Sequence, residues 1–176
     1  MTYAAMFQTL QPGFFDKPYI ASLPEWEVFD EQIIDLHEWQ EGMPVPCPAH
    51  ITFGFYQGDV ETLQSAVREV DEDWVQWFGK TERVFCAFDG DMVASFCILD
   101  NFGDADGLKV GAPGCVGTVP AYRRQGIGLR MVQLATGILK DEGYDLSWIH
   151  YTAVGHWYAK LGYKTVVRWN SKGIIE

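Results

Sequence analysis

The sequence contains no apolar run approaching the roughly 20 residues that a membrane-spanning helix requires. Its start, Met1-Thr2-Tyr3-Ala4-Ala5-Met6-Phe7-Gln8, lacks the basic and apolar regions of a secretory leader. Both absences predict a soluble, cytoplasmic protein with no membrane partner. No CxxC pair occurs among Cys47, Cys86, Cys97 and Cys115, and their apolar surroundings suit reduced, buried thiols. A disulfide or metal site is the lesser reading, and no metal is expected. Basic residues are scarce: 13 Lys and Arg stand against 24 Asp and Glu, a net charge of −11. Without a basic cluster such a chain repels nucleic acid. The same negative field suits a cationic small molecule or peptide, and it equally serves solubility. Repeats and low-complexity stretches are also missing.

What is present is apolar material: 48% hydrophobic and 15% aromatic residues over 176 positions are enough to bury one sizeable core. The one shift in composition is Gly42-Met43-Pro44-Val45-Pro46-Cys47-Pro48, whose prolines disfavour both helix and central strand. It divides an N-terminal extension, 1–47, expected to pack on the domain, from a main domain, 48–176.

Within that domain Ile51 to Tyr56 reads as a strand and Gly58-Asp59 as a turn. Leu63, Ala66, Val67 and Val70 then follow a helical period, with Asp59 as N-cap. Trp74 to Phe78 reads as a short helix started by Asp71-Glu72-Asp73. Two apolar runs, Val84–Phe88 and Met92–Leu99, flank Asp89-Gly90, a dipeptide favoured in tight hairpins. Leu108 to Val119 is a strand whose glycines and Pro113 suggest a bulge or a close backbone approach. A strong helix over 125–142 carries Ile127, Met131, Leu134, Ala135 and Ile138 inward and stops at Gly143. A strand over 146–151, a short helix facing inward through Val154, Trp157, Tyr158 and Leu161, and a strand over 163–169 complete the chain. The fold class expected is mixed α/β, a mostly antiparallel sheet flanked by helices.

The informative segment is Val116-Gly117-Thr118-Val119-Pro120-Ala121-Tyr122-Arg123-Arg124-Gln125-Gly126-Ile127-Gly128-Leu129. It sets a strand, a turn and a helix start in order, with two glycines in the first turn. Unpaired N–H groups and the positive end of the helix dipole make such a start an anion cradle. A Walker loop would need Lys-Ser/Thr after its last glycine, and a dinucleotide fingerprint would need a third glycine at Met131; neither is present.

Arg123-x-x-Gly126-x-Gly128 after a strand ending in Val-Pro resembles the coenzyme A pyrophosphate loop of the GNAT superfamily of N-acetyltransferases. Trp157-Tyr158-Ala159-Lys160-Leu161-Gly162-Tyr163 resembles the same family's aromatic-Tyr-x-Lys-Leu-Gly-aromatic motif. The resemblance spans about residues 48–169 and implies acetyl transfer from acetyl-CoA to a primary amine of a small molecule or peptide, by direct attack in a ternary complex. It implies that Val116, Thr118 and Val119 hold pantetheine and the acetyl carbonyl. Arg123, Arg124, Gln125, Gly126, Ile127, Gly128 and Leu129 would then meet the pyrophosphate, and Tyr158 would protonate the leaving thiolate. Tyr158 also fits as a core aromatic. An acyl-CoA-binding sensor without turnover is the rival reading, and self-association as a homodimer stays open.

Two departures matter. Tyr151 stands where many relatives have an asparagine, and the strand before the loop, Leu108 to Pro120, holds no carboxylate to act as base. His150 and Asp100 are the candidate bases, and Cys115 is a weak candidate nucleophile with no activating neighbour in sequence. Finally, only Ile174-Ile175-Glu176 follows the turn Asn170-Ser171-Lys172-Gly173, too little for the family's long last strand. Residues 25–37 are therefore expected to cover or extend that side of the sheet and to help shape the amine pocket, as a strand or as a helix.

Overall fold

The computed structural model describes residues 1–175. Thr2 caps α1 (Tyr3–Leu10) by accepting the Ala5 N–H, and Pro18 opens α2 (Pro18–Ala21) at the position where its missing N–H costs nothing. Then come β1 (Phe29–Asp35), β2 (Ile51–Phe55), α3 (Val60–Arg68), β3 (Val84–Asp89), β4 (Met92–Ala105) and β5 (Leu108–Thr118). They are followed by α4 (Ile127–Asp141), β6 (Leu146–Thr152), α5 (Gly155–Ala159), β7 (Lys164–Asn170) and β8 (Gly173–Ile174). The strands hydrogen-bond in the order β2-β3-β4-β5-β6-β1-β7-β8. Among the described registers only β5 with β6 is parallel, through Val110 opposite Leu146 and Gly111 opposite Ser147. This is the mixed α/β, mostly antiparallel class expected.

Several local expectations hold for the reasons given. Asp59 caps α3 through the Thr62 N–H, Gly90 turns the β3–β4 hairpin at φ +58°, and Gly143 at φ +87° ends the turn after α4. The interruption in β5 falls at Cys115, φ +47°, and the close approach falls at Gly117, where a Cβ would lie 2.6 Å from the Phe96 ring. Other expectations change. Residues 72–77 form a 3₁₀ helix with no buried residue, and β4 runs on past Leu99 through a polar stretch that hides it in sequence. Leu134 and Ile138 are only partly buried, while Val132, Gln133 and Leu139 are buried; Val154 is exposed, so Gly155, Tyr158 and Leu161 form the inner side of the α5 segment.

Contacts gather the chain into two compact units, one of residues 1–40, 101–112 and 140–176, the other of residues 41–100 and 113–139. In the first, β1 lies between β6 and β7 and runs antiparallel to both. Residues 25–37 thus do extend the C-terminal part of the sheet, within the same chain, but by insertion rather than at an edge. A bulge near Gln32 shifts the register on both sides. The two residues of β8 only lengthen the far side of β7. Behind this sheet Phe7, Phe14, Phe29, Trp148 and Trp169 make a buried aromatic core, with Phe14 and Trp169 edge to face at 4.9 Å. In the second unit α3 packs Leu63 and Val67 against Phe78, Val84 and Phe96, and α4 sends Ile127 into a small cluster with Ile51, Ala87 and Ala94.

Because Phe7 is 1% exposed and packs on Phe14 and Trp148, Phe7→Ala should destabilise the protein by about 3–5 kcal/mol. Urea unfolding followed by near-UV circular dichroism checks this, and a loss under about 1 kcal/mol would mean that α1 is not part of the core.

Candidate active site

In the second unit the strand-turn-helix order places the start of α4 as expected. Arg124 and Gly126 both adopt positive φ, +64° and +78°, which aligns successive N–H groups ahead of the helix. The helical ladder begins with the Arg130 N–H on the Gly126 carbonyl. Among the described residues, the N–H groups of Gln125, Gly126, Ile127, Gly128 and Leu129 have no acceptor from the protein. Five consecutive unmatched donors at the positive end of a helix of 15 residues form a site for an anion such as a diphosphate. The residues present therefore fit the pyrophosphate of coenzyme A.

The glycines serve a second purpose that spacing did not reveal. Residues 41–46 form a strap along α4: Gln133 Nε2 donates to the carbonyls of Glu41 and Met43, Gln133 Oε1 accepts the Val45 N–H at 2.9 Å, and Arg130 pairs with Glu41 at 2.8 Å. Proline at 44 and 46 has no N–H to compete for these partners. A Cβ at Gly126 would come within 2.1 Å of the Pro46 carbonyl oxygen, so this glycine admits the strap as well as an anion. Arg130 is committed to Glu41. Arg123 Nε donates to the Thr118 carbonyl at 3.0 Å, and Arg124 is exposed.

The strand before the helix is firmly held. Ser95 Oγ, buried, donates to the Gly117 carbonyl and lies 3.1 Å from Thr118 Oγ1. The Val119 N–H donates to Ala94 and its carbonyl accepts from Tyr122. The Val119 N–H is therefore already committed within the protein, while Val116 and Thr118 remain partly accessible. Burial, then the nearby Asp100 and Asp71 carboxylates, push the Cys115 thiol up to about 12, which disfavours the thiolate that a nucleophile needs. Burial raises Asp100 and Arg83 opposes the shift; since the residue still reaches solvent, the effect is modest. All four cysteines are free thiols.

Tyr158 and His150 belong to the first unit. Tyr158, on α5, is 7% exposed, with Trp157 and Tyr163 edge-on at 4.9 and 6.0 Å, so it is both a core aromatic and a tyrosine in the motif position. His150, on β6, sits among Phe7, Phe14 and Phe102 at 5.1 to 5.8 Å. Its Nδ1 meets Glu31 of β1 at 2.9 Å. Glu31 is a functional candidate that sequence reasoning missed, because a lone glutamate in an alternating strand reads as solvent-facing. Tyr151, at the position of the family asparagine, takes φ +57°, and burial raises its hydroxyl pKa, as do the Glu27 carboxylate and Tyr19. Among the described residues no group of three or more His, Cys, Asp or Glu could hold a metal, and no helix is long and apolar enough to cross a membrane.

Two measurements test this geometry. Gly126→Ala should cost roughly 1–2 kcal/mol from the left-handed backbone alone and release the strap, seen as a lower Tm and new protease cleavage within 41–47; unchanged Tm would contradict the contact with Pro46. At pH 8, Cys115 should react with iodoacetamide about 10³-fold more slowly than an ordinary thiol, by mass spectrometry of the native protein; comparable rates would show an activated thiolate.

The sequence profile of the acetyltransferase (GNAT) domain matches residues 80–165, which hold β3 to β6, α4 and α5. No curated protein matches the chain by sequence. Among solved structures, the glucosamine N-acetyltransferase region of a fungal multi-domain β-N-acetylglucosaminidase aligns with 82% of this chain at 20% identity and TM-score 0.66. A GCN5-related N-acetyltransferase from Sphaerobacter thermophilus aligns with 81% at 19% identity and TM-score 0.61. An N-acetylglutamate synthase from Neisseria gonorrhoeae, in complex with coenzyme A and N-acetylglutamate, aligns with 64% at 16% identity and TM-score 0.50. The chain spans only 20%, 50% and 28% of those three structures, so the likeness is one of fold. Residues 80–165 thus match the profile of the GNAT acetyltransferase domain, and the fold is that of the N-acetyltransferase structures the chain resembles.

Proposed function

We propose that the protein transfers an acetyl group from acetyl-CoA to a primary amine of a small molecule or peptide. The observation that carries this reading is the row of five unmatched N–H donors at the start of α4, in a chain whose domain family is an acetyltransferase family. Coenzyme A would supply the acetyl group as a thioester, its pyrophosphate held by the N–H groups of Gln125 to Leu129 with Arg123 and Arg124 beside them. Backbone groups of Val116 and Thr118 on β5 would hold the pantetheine amides.

The chain's own residues then have two proton tasks. His150 accepts a proton from the substrate ammonium through its uncommitted ring nitrogen, so that a neutral amine can form the new C–N bond. Tyr158 donates its hydroxyl proton to sulfur as the C–S bond breaks, since a thiol leaves more easily than a thiolate, and the second proton shed by the nitrogen as the amide forms restores the Tyr158 hydroxyl through solvent. The net charge of −11 favours a cationic acceptor such as a polyamine or aminosugar by steering it toward the protein.

Release of free thiol from acetyl-CoA, measured with a panel of polyamines, aminosugars, aminoglycosides and N-terminal peptides, should identify at least one amine that accelerates it. A protein that binds acetyl-CoA but gives no amine-dependent release would be a sensor. With an active amine, Tyr158→Phe should lower kcat by about 10²–10⁴-fold while acetyl-CoA affinity stays nearly intact; a loss under about threefold removes Tyr158 from the acid role.

A further inference from the structure

Glu31 has 0% exposure, and everything around it is organised to satisfy it. Its Oε2 accepts the indole N–H of Trp148 at 2.6 Å, and its Oε1 accepts the indole N–H of Trp169 at 2.8 Å and the Tyr151 backbone N–H at 3.0 Å. His150 Nδ1 lies 3.0 and 2.9 Å from the two oxygens. A carboxylate has about four acceptor sites, and these four groups fill them. Three of the four can only donate. The proton in the fourth contact must therefore lie between Glu31 and Nδ1, because the other neutral tautomer would set a nitrogen lone pair against two carboxylate oxygens.

The consequence falls on the other edge of the ring. Nδ1 is committed to a buried carboxylate, and a quarter of the His150 side chain remains exposed, which leaves Nε2 as the ring nitrogen not used by that contact. That atom has no hydrogen-bond partner among the described residues, and the rings of Phe7, Phe14 and Phe102 offer it none. A carboxylate behind one ring nitrogen fixes the tautomer and leaves the other as an acceptor. Burying an acid at the centre of an aromatic core is costly even when it is paired, and an apolar residue would fill that space without the cost.

We infer that Glu31 is a positioning residue: it holds His150 as the Nδ1–H tautomer, so that Nε2 takes the proton from the acceptor amine. The inference rests on the proposed acetyl transfer, and it assigns to the N-terminal strand β1 the carboxylate that is missing from the strand before the pyrophosphate loop.

The decisive measurement needs no substrate. Nitrogen-15 NMR of the histidine rings in the native protein should show neutral His150 protonated at Nδ1 and bare at Nε2; protonation at Nε2 instead overturns the inference. In Glu31→Gln the amide NH₂ can donate to Nδ1, so the tautomer should reverse, and kcat with the fastest amine of the panel should fall by about 10²-fold, with the KM for acetyl-CoA changed less than about threefold. His150→Gln separates the two readings. If it leaves kcat unchanged, the base role of His150 fails whatever Glu31 does. If it lowers kcat while Glu31→Gln alters neither tautomer nor kcat, the positioning role fails and the base role stands. Should Glu31→Gln not fold, the native tautomer alone decides.

Discussion

A carboxylate cut off from water must find a donor for every lone pair or lose more free energy than the fold can spare. Glu31 finds four, and they come from both strands that flank its own. That requirement fixes β1 between β6 and β7, selects tryptophan over other large apolar residues at 148 and 169 because the indole carries an N–H, and shapes the aromatic shell that shuts water out. The N-terminal segment shares that core: Met6, Phe7, Phe14 and Ile20 are buried in one cluster with Trp148 and Trp169. The N-terminal segment is part of the core of its unit, not an appendage.

The start of α4 follows a different rule. A helix N-terminus is normally closed by a capping side chain, and here, among the described residues, no side chain accepts the first N–H groups, which remain available to an anion. The positive φ at Arg124 costs free energy that a bound anion would recover, whereas Gly126 adopts it without strain. Gln133 and Arg130, one turn apart on α4, hold the proline-rich strap so that its backbone, rather than a bulky side chain, lies against Gly126. Glycine at that position thus meets two demands for close approach, and only one of them concerns a ligand.

Much of this was legible in sequence. The periods of α3, α4 and α5, the β3–β4 hairpin through Asp89-Gly90 and the order of elements after residue 50 follow from local chemistry: hydrophobic spacing, caps, and glycines that adopt positive φ without strain. The cradle was legible for the same reason, since an anion site at a helix start is built from consecutive backbone groups. The bond that ties the Val119 N–H to Ala94 was not, because its acceptor lies on another strand. Nor was the engagement of Arg130, whose Glu41 partner is far away in the chain.

What the sequence determined by itself is therefore the class of fold, the glycine-rich start of α4 and the place of the motif tyrosine on α5, all written in runs of neighbouring residues. Tertiary structure alone decided that residues 29–35 are a strand, and that Glu31 rather than a residue of β5 stands behind His150. The physical reason is that β1 meets β6 and β7 through contacts separated by more than a hundred positions, and the alternating pattern of a strand says which residues share a face but not what that face will meet.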